Sequence, residues 1–138
     1  MARANFRCPH CGDRYRITTF HLGYSQVVDM RCNRCSATVL VDIYSRHASR
    51  LHRENGGNYT PGYFRALTEC LAPCACGGRF VYDAPFRCRR CNAEVSLAEI
   101  KRQINWWGSP DGRPGILMKR ESACRWKGRA KNEAQPTS

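Results

Sequence analysis

The chain has 138 residues and a formal net charge of +12, from 23 Lys and Arg against 11 Asp and Glu. No apolar run approaches the roughly 18 to 20 residues of a membrane helix, and the start MARANFRCPHCG lacks the apolar stretch of a secretory signal, so neither destination is expected. Ten cysteines point to a scaffold held by something besides a large core, because units below roughly 40 to 60 residues bury too little surface to stand alone. The expectation is a cytoplasmic protein whose reduced, paired thiols hold metal rather than form disulfides.

In chain order, Cys8-Pro-His-Cys11 is followed by Gly12 and by RYRITTF, a strand-like run of aromatic and β-branched residues. A second pair, Cys32-Asn-Arg-Cys35, precedes another strand-like run, TVLVDIY. SRHASRLHRENGGN is polar, basic and broken at Asn55-Gly56-Gly57-Asn58, and reads as a linker or exposed loop. TPGYFRALTECLA then carries helix-start signals, Thr60 as N-cap and Pro61 in the first turn, with Phe64, Leu67 and Leu71 at i, i+3, i+7 and Tyr63 and Cys70 beside them. The arrangement repeats: Cys74-Ala-Cys76 with Gly77, strand-like RFVYDAPFRC, Cys88-Arg-Arg-Cys91, and AEVSLAEI. The glycine after each leading pair suits a turn that needs positive φ so that amides can face sulfur. A second helix is expected from Ser96, where SLAE reads as a capping box and Leu97, Ile100 and Ile104 give an apolar stripe. From GSPDGRPG onward the chain reads as a flexible basic tail.

Two short cysteine knuckles brought together by a hairpin supply four soft ligands for a tetrahedral ion. Sequence order suggests one site from Cys8, Cys11, Cys32 and Cys35 and another from Cys74, Cys76, Cys88 and Cys91. Cys70 is either an alternative ligand to Cys74 or a small buried residue on its helix face. Cys124 has no partner in the pattern, His10 sits in a knuckle position that faces solvent, and His21, His47 and His52 match no ligand motif. The knuckles CPHCG/CNRC and CACGG/CRRC with strand-like connectors resemble zinc ribbons, the rubredoxin-like small β folds, over roughly residues 6–44 and 72–96. The resemblance implies one structural zinc per unit, two in all. Iron, as in rubredoxin itself, is the alternative, though rubredoxin chains are typically acidic and hold one site. The expected fold is therefore a small metal-stabilised α+β chain: ribbon 1 at 1–46, linker and short helix at 47–72, ribbon 2 with a C-terminal helix at 73–108, and the tail at 109–138.

A site closed by four cysteines has no open position for water, and the glycine pairs lack the lysine of a phosphate loop, so no enzyme is expected. The basic balance favours a nucleic acid, DNA or RNA, gripped by Arg79, Arg87, Arg89 and Arg90 on the second ribbon and by Lys119, Arg120, Arg125, Lys127 and Arg129 in the tail. Phe80, Tyr82 and Phe86 between those arginines either stack on bases or roof the ribbon core. The competing reading is a protein adaptor or inhibitor that docks an acidic partner, with Trp106, Trp107 and Trp126 as anchors.

Overall fold

The computed structural model describes residues 2–21, 26–106, 113–117 and 123–126, with Ala2 and the last four described by backbone alone. Strand β1 (Ala2–Arg7) turns through the first knuckle into β2 (Arg14–His21), and β3 (Val27–Cys32) turns through the second into β4 (Thr38–Asp42). Both hairpins are antiparallel, with Phe6 opposite Tyr15 in one and Met30 opposite Val39 in the other. Helices α1 (Arg46–Glu54) and α2 (Pro61–Cys70) follow, then the short strands β5 (Phe80–Val81), β6 (Phe86–Arg87) and β7 (Glu94–Val95), helix α3 (Leu97–Ile104), and strands β8 (Pro114–Leu117) and β9 (Ala123–Trp126). The sheets run β1-β2-β8, β5-β3-β4-β9 and β6-β7, and among the described residues only the β4–β9 pairing is parallel. This is a small α+β fold of antiparallel hairpins with three short helices among the described residues. None of these helices is long and apolar enough to cross a membrane.

Two expectations about unstructured segments need correction. The linker from 47 onward contains α1, capped by the Ser45 hydroxyl, which accepts from the Ala48 amide at 3.3 Å. Only Ala48 and Leu51 of its nine residues are buried, a pattern too sparse to register as periodic, yet they sit on the core beside Met30 and Val41. The supposed flexible tail contributes β8, which adds to β2 with Ile116 buried, and β9, which extends the other sheet. The remaining tail positions, including Lys119, Arg120, Lys127 and Arg129, lie outside the described residues. So does the Arg125 side chain.

Both predicted helices form, each with a small shift. Thr60 Oγ1 accepts from the Tyr63 amide, but the buried face centres on Tyr63 and Leu67, with Phe64 partly buried against the same core. Ser96 caps α3 by accepting from the Glu99 amide at 3.2 Å. The Glu99 carboxylate accepts from Arg102 and Gln103 instead of reaching back, so only half of a capping box is present.

The apolar residues gather into two cores. One joins β3, β4, α1 and α2 through Val28, Met30, Val41, Leu51, Tyr63 and Leu67. The other joins β1, β2, β6, β7, α3 and β8 through Phe6, Tyr15, Ile17, Phe86, Val95, Ile100 and Ile116, with the Phe6 and Phe86 rings edge to face at 5.5 Å. Asp29, fully buried on β3, ties β8 to β3. Its carboxylate accepts from Arg31 Nε at 3.3 Å, Arg113 Nη1 at 2.7 Å and the Ile116 amide at 3.2 Å, and its carbonyl accepts from Arg113 Nη2. Burial pulls the Arg31 guanidinium down to about 10, with Asp29 opposing. Removing one member of a buried charge network leaves the others uncompensated, a loss of about 3 to 5 kcal/mol. Asp29→Ala should therefore lower the unfolding free energy of the metal-loaded protein, read from urea titration, by that order, while Glu54→Ala on the exposed face of α1 should leave it within about 0.5 kcal/mol.

Candidate metal centres

Each knuckle is a tight backbone turn aimed at sulfur. The first cysteine of three knuckles donates its amide to the carbonyl five residues on: Cys8 to Asp13, Cys32 to Ala37 and Cys88 to Ala93, at 2.9 to 3.0 Å. Cys74 donates instead to Gly78, four residues on. The Cys-x-Cys spacing is thus the same turn shortened by one residue. Gly12 and Gly77 take positive φ after their pairs, at 77° and 91°, and Asn92 fills that role after Cys91 at 61°. The amides of His10, Arg34, Gly78 and Arg90 then donate to the sulfurs of Cys8, Cys32, Cys76 and Cys88 at 3.4 Å.

The knuckles assemble crosswise. One cluster is Cys8, Cys11, Cys88 and Cys91, and the other is Cys32, Cys35, Cys74 and Cys76, with all ligand atoms in each lying within 4.8 Å of one another. All eight cysteines expected as ligands fall in these two clusters, but the expected grouping by sequence order is replaced. Strand pairing decides this. Cys32 sits opposite Phe80 in the β3–β5 ladder, which carries the second knuckle to the third, and Phe86 packs on Phe6, which carries the fourth to the first. Cys70 belongs to neither cluster; its sulfur lies 3.5 Å from His47 Nε2. His10 donates from Nε2 to the Glu94 carbonyl at 3.0 Å, away from the sulfurs.

Sulfurs of paired knuckles lie 3.7 Å apart in the first cluster and 3.4 and 3.6 Å apart in the second. A tetrahedron with metal–sulfur bonds of about 2.3 Å has edges of about 3.8 Å, whereas a disulfide needs about 2.05 Å, so the donor sets fit a four-coordinate thiophilic ion. Electrostatics agree. The Gly78 amide, followed by the Cys32 sulfur, holds the Cys76 thiol down at about 7. Burial leads in pushing Cys35 up to about 12 and in raising Cys74. Burial also raises Cys88, but the Cys91 and Arg90 amides and the neighbouring thiols bring it down to about 7. Without a cation, four adjacent sulfurs resist carrying four charges; a divalent ion removes that resistance and displaces the protons.

Side chains brace the two clusters against each other. Arg87 donates to the Asn92 carbonyl at 3.0 Å, the Asn33 carbonyl at 3.4 Å and Glu94 at 3.1 Å, and Asn92 Nδ2 donates to the Arg34 carbonyl at 2.8 Å. The other second-ribbon arginines also have partners: Arg79 with Glu69, and Arg89 and Arg90 with Asp13. Phe86 is buried, and Phe80 and Tyr82 pack on the first core. Trp106 stacks on His21 at 4.6 Å; Trp107 and the Trp126 side chain lie outside the described residues.

Sequence order overlooked the outer face of the first hairpin. Arg3, Asn5 and Arg7 alternate with inward Ala4 and Phe6, and across the ladder stand Thr18, Arg16 and Arg14. All four arginines are exposed, and none has an acidic partner among the described residues. The period of two in ARANFR and RYRIT was the available signal.

Crosswise closure makes a sharp prediction for metal content. Cys8→Ser combined with Cys88→Ser should remove one metal per chain, and Cys8→Ser combined with Cys32→Ser should remove both. Elemental analysis that gave the reverse would restore the grouping by sequence order. A Cβ on Gly78 would fall 2.6 Å from the Cys32 sulfur. Gly78→Ala should therefore weaken metal retention against a chelator at the second cluster and spare the first.

No curated protein matches the chain, and no solved structure does. A family model described as a domain of unknown function, DUF8255, matches residues 4–97, a span that contains all eight clustered cysteines. With more than half of its length matched, the chain belongs to the DUF8255 family.

Proposed function

We propose that this is a non-enzymatic zinc protein of the zinc-ribbon type, working in the reducing cytoplasm, in which two zinc ions hold a surface that binds nucleic acid. Two closed sets of four thiolates support the zinc reading, because such sites suit Zn²⁺ and leave no position for a reacting water. Iron in the same sites would be coloured, and zinc is not.

The observation that carries the nucleic-acid reading is the hairpin face of Arg3, Arg7, Arg14 and Arg16. Arg7 stands directly opposite Arg14. Like charges opposed across a ladder are destabilising, so the pair is unfavourable until an anion lies between them. Successive side chains on one strand face are roughly 7 Å apart, comparable with the separation of neighbouring phosphates on a nucleic-acid strand. Asn5, Arg7, Arg14, Arg16 and Gln103 line a concavity of about 500 Å³ on this face, which gives a backbone somewhere to sit. Arg79 and Arg90, with side chains 46% and 71% exposed, are further candidate contacts although each also pairs with an acid, Glu69 and Asp13, whereas Arg87 is occupied in bracing the knuckles.

A salt titration tests this. Each phosphate contact contributes about 0.7 to 0.9 to the slope of log affinity against log salt. Replacing Arg7, Arg14 and Arg16 together by Ala should therefore flatten the slope by about 2 to 3, with both metals retained. Equal slopes for the variant and the parent protein would remove this face from the account. Binding to an acidic polypeptide but to no nucleic acid would favour the adaptor reading instead.

A further inference from the structure

On the other core, between α2, the end of β4 and β5, lies a cavity of about 630 Å³ that the basic hairpin face does not explain. Such a volume is in the range of small-molecule sites, roughly 300 to 1,000 Å³. Its lining is aromatic. Tyr44 and Tyr59 stand at it with 65% and 53% of their surface exposed, two of the three large apolar side chains left exposed among the described residues. Phe64 and Tyr82, stacked at 3.8 Å and 13°, form part of the wall.

The site is also held in shape. Tyr59 leans on His52 at 4.5 Å and meets Tyr63 edge to face, and Arg113 lies over the Tyr82 ring at 4.5 Å. Aromatics fixed this way lose little freedom on binding. Three charged side chains complete the lining: Glu69, which pairs with Arg79, and Arg65 and Asp83, neither of which has an ion-pair partner among the described residues. An aliphatic side chain from a protein partner would satisfy neither of them.

We infer that this cavity receives an unpaired nucleotide of a single-stranded nucleic acid. The base stacks on the exposed tyrosines, the phosphate pairs with Arg65, and the Asp83 carboxylate accepts from an exocyclic amino group. This rests on the nucleic-acid reading above and narrows it. A duplex keeps its bases stacked and cannot deliver one, whereas unpaired bases stack on aromatic side chains with little sequence cost. Adenine, cytosine and guanine carry the amino donor that a carboxylate reads; uracil and thymine do not.

The test is fluorescence anisotropy at fixed salt, with the full metal-loaded chain and labelled 12-mers of adenylate, cytidylate and uridylate, a duplex of equal length, and AMP as competitor. Expected are single strands about tenfold tighter than duplex, uridylate the weakest of the three, and no competition by AMP at strand concentrations. Tyr44→Ala with Tyr59→Ala should bring single strands to the duplex level, flatten the salt slope by no more than the one Arg65 contact, about 0.7, and leave both metals in place. If that double variant loses its fold, Asp83→Ala alone, which removes the acceptor, should still erase the preference of cytidylate over uridylate. Duplex binding as tightly as single strands, or an Asp83→Ala variant with unchanged preference, would overturn the pocket and leave the hairpin face standing. AMP competing as well as the 12-mer would overturn the assignment to a strand. Absence of all nucleic-acid binding would overturn both readings.

Discussion

Four thiolates within 5 Å of one another are stable only around a cation, and in this chain each such group draws its two halves from distant segments. Sulfurs that meet in one cluster are 77 and 83 residues apart, and in the other 39 and 44. Closing a longer loop costs little: each doubling adds about 0.6 kcal/mol, against about 10 to 16 kcal/mol for a structural zinc site. Chain entropy therefore does not choose between local and crosswise closure. The choice falls to the β3–β5 ladder and to the packing of Phe86 on Phe6.

From that closure the rest follows. The segment running from β3 through α2 to β5 lies in sequence between the two knuckles of the Cys8–Cys91 cluster, and it carries its own core and its own cluster. Two further ties hold the parts together, Arg87 and Asn92 between the knuckles and the Asp29–Arg113 pair between β3 and the approach to β8. Divided between two separate cores, hydrophobic burial leaves each unit near the size that needs a further tie. With the metals in place, the hairpin face can hold like charges side by side, and the exposed tyrosines can stay outside the core.

The amino-acid pattern disclosed the local units well. The knuckles, their positive-φ glycines, the Thr60 and Ser96 caps and the strand runs after each cysteine pair all rest on short-range chemistry, and all are present in the fold. The partner of each knuckle was not legible, because any two cysteine pairs complete a tetrahedron and nothing in their spacing names the mate. Helix α1 escaped notice because two buried residues in nine make no stripe. Strand β8 did because its reason to be a strand is the open edge of β2, far away in sequence. The second-ribbon arginines looked free beside CRRC, but their neighbours Asp13, Asn33 and Glu94 come from other segments or across the turn.

The central claim, that the metals join the first half of the chain to the second, is open to one direct measurement. Gly56 and Gly57 are exposed in the turn between α1 and α2, so a protease site placed there can be cut in the folded protein. Native mass spectrometry of the nicked, metal-loaded protein should then find both fragments together with two metals, separating only when a chelator removes them. Fragments that part on their own, each carrying one metal, would contradict the account.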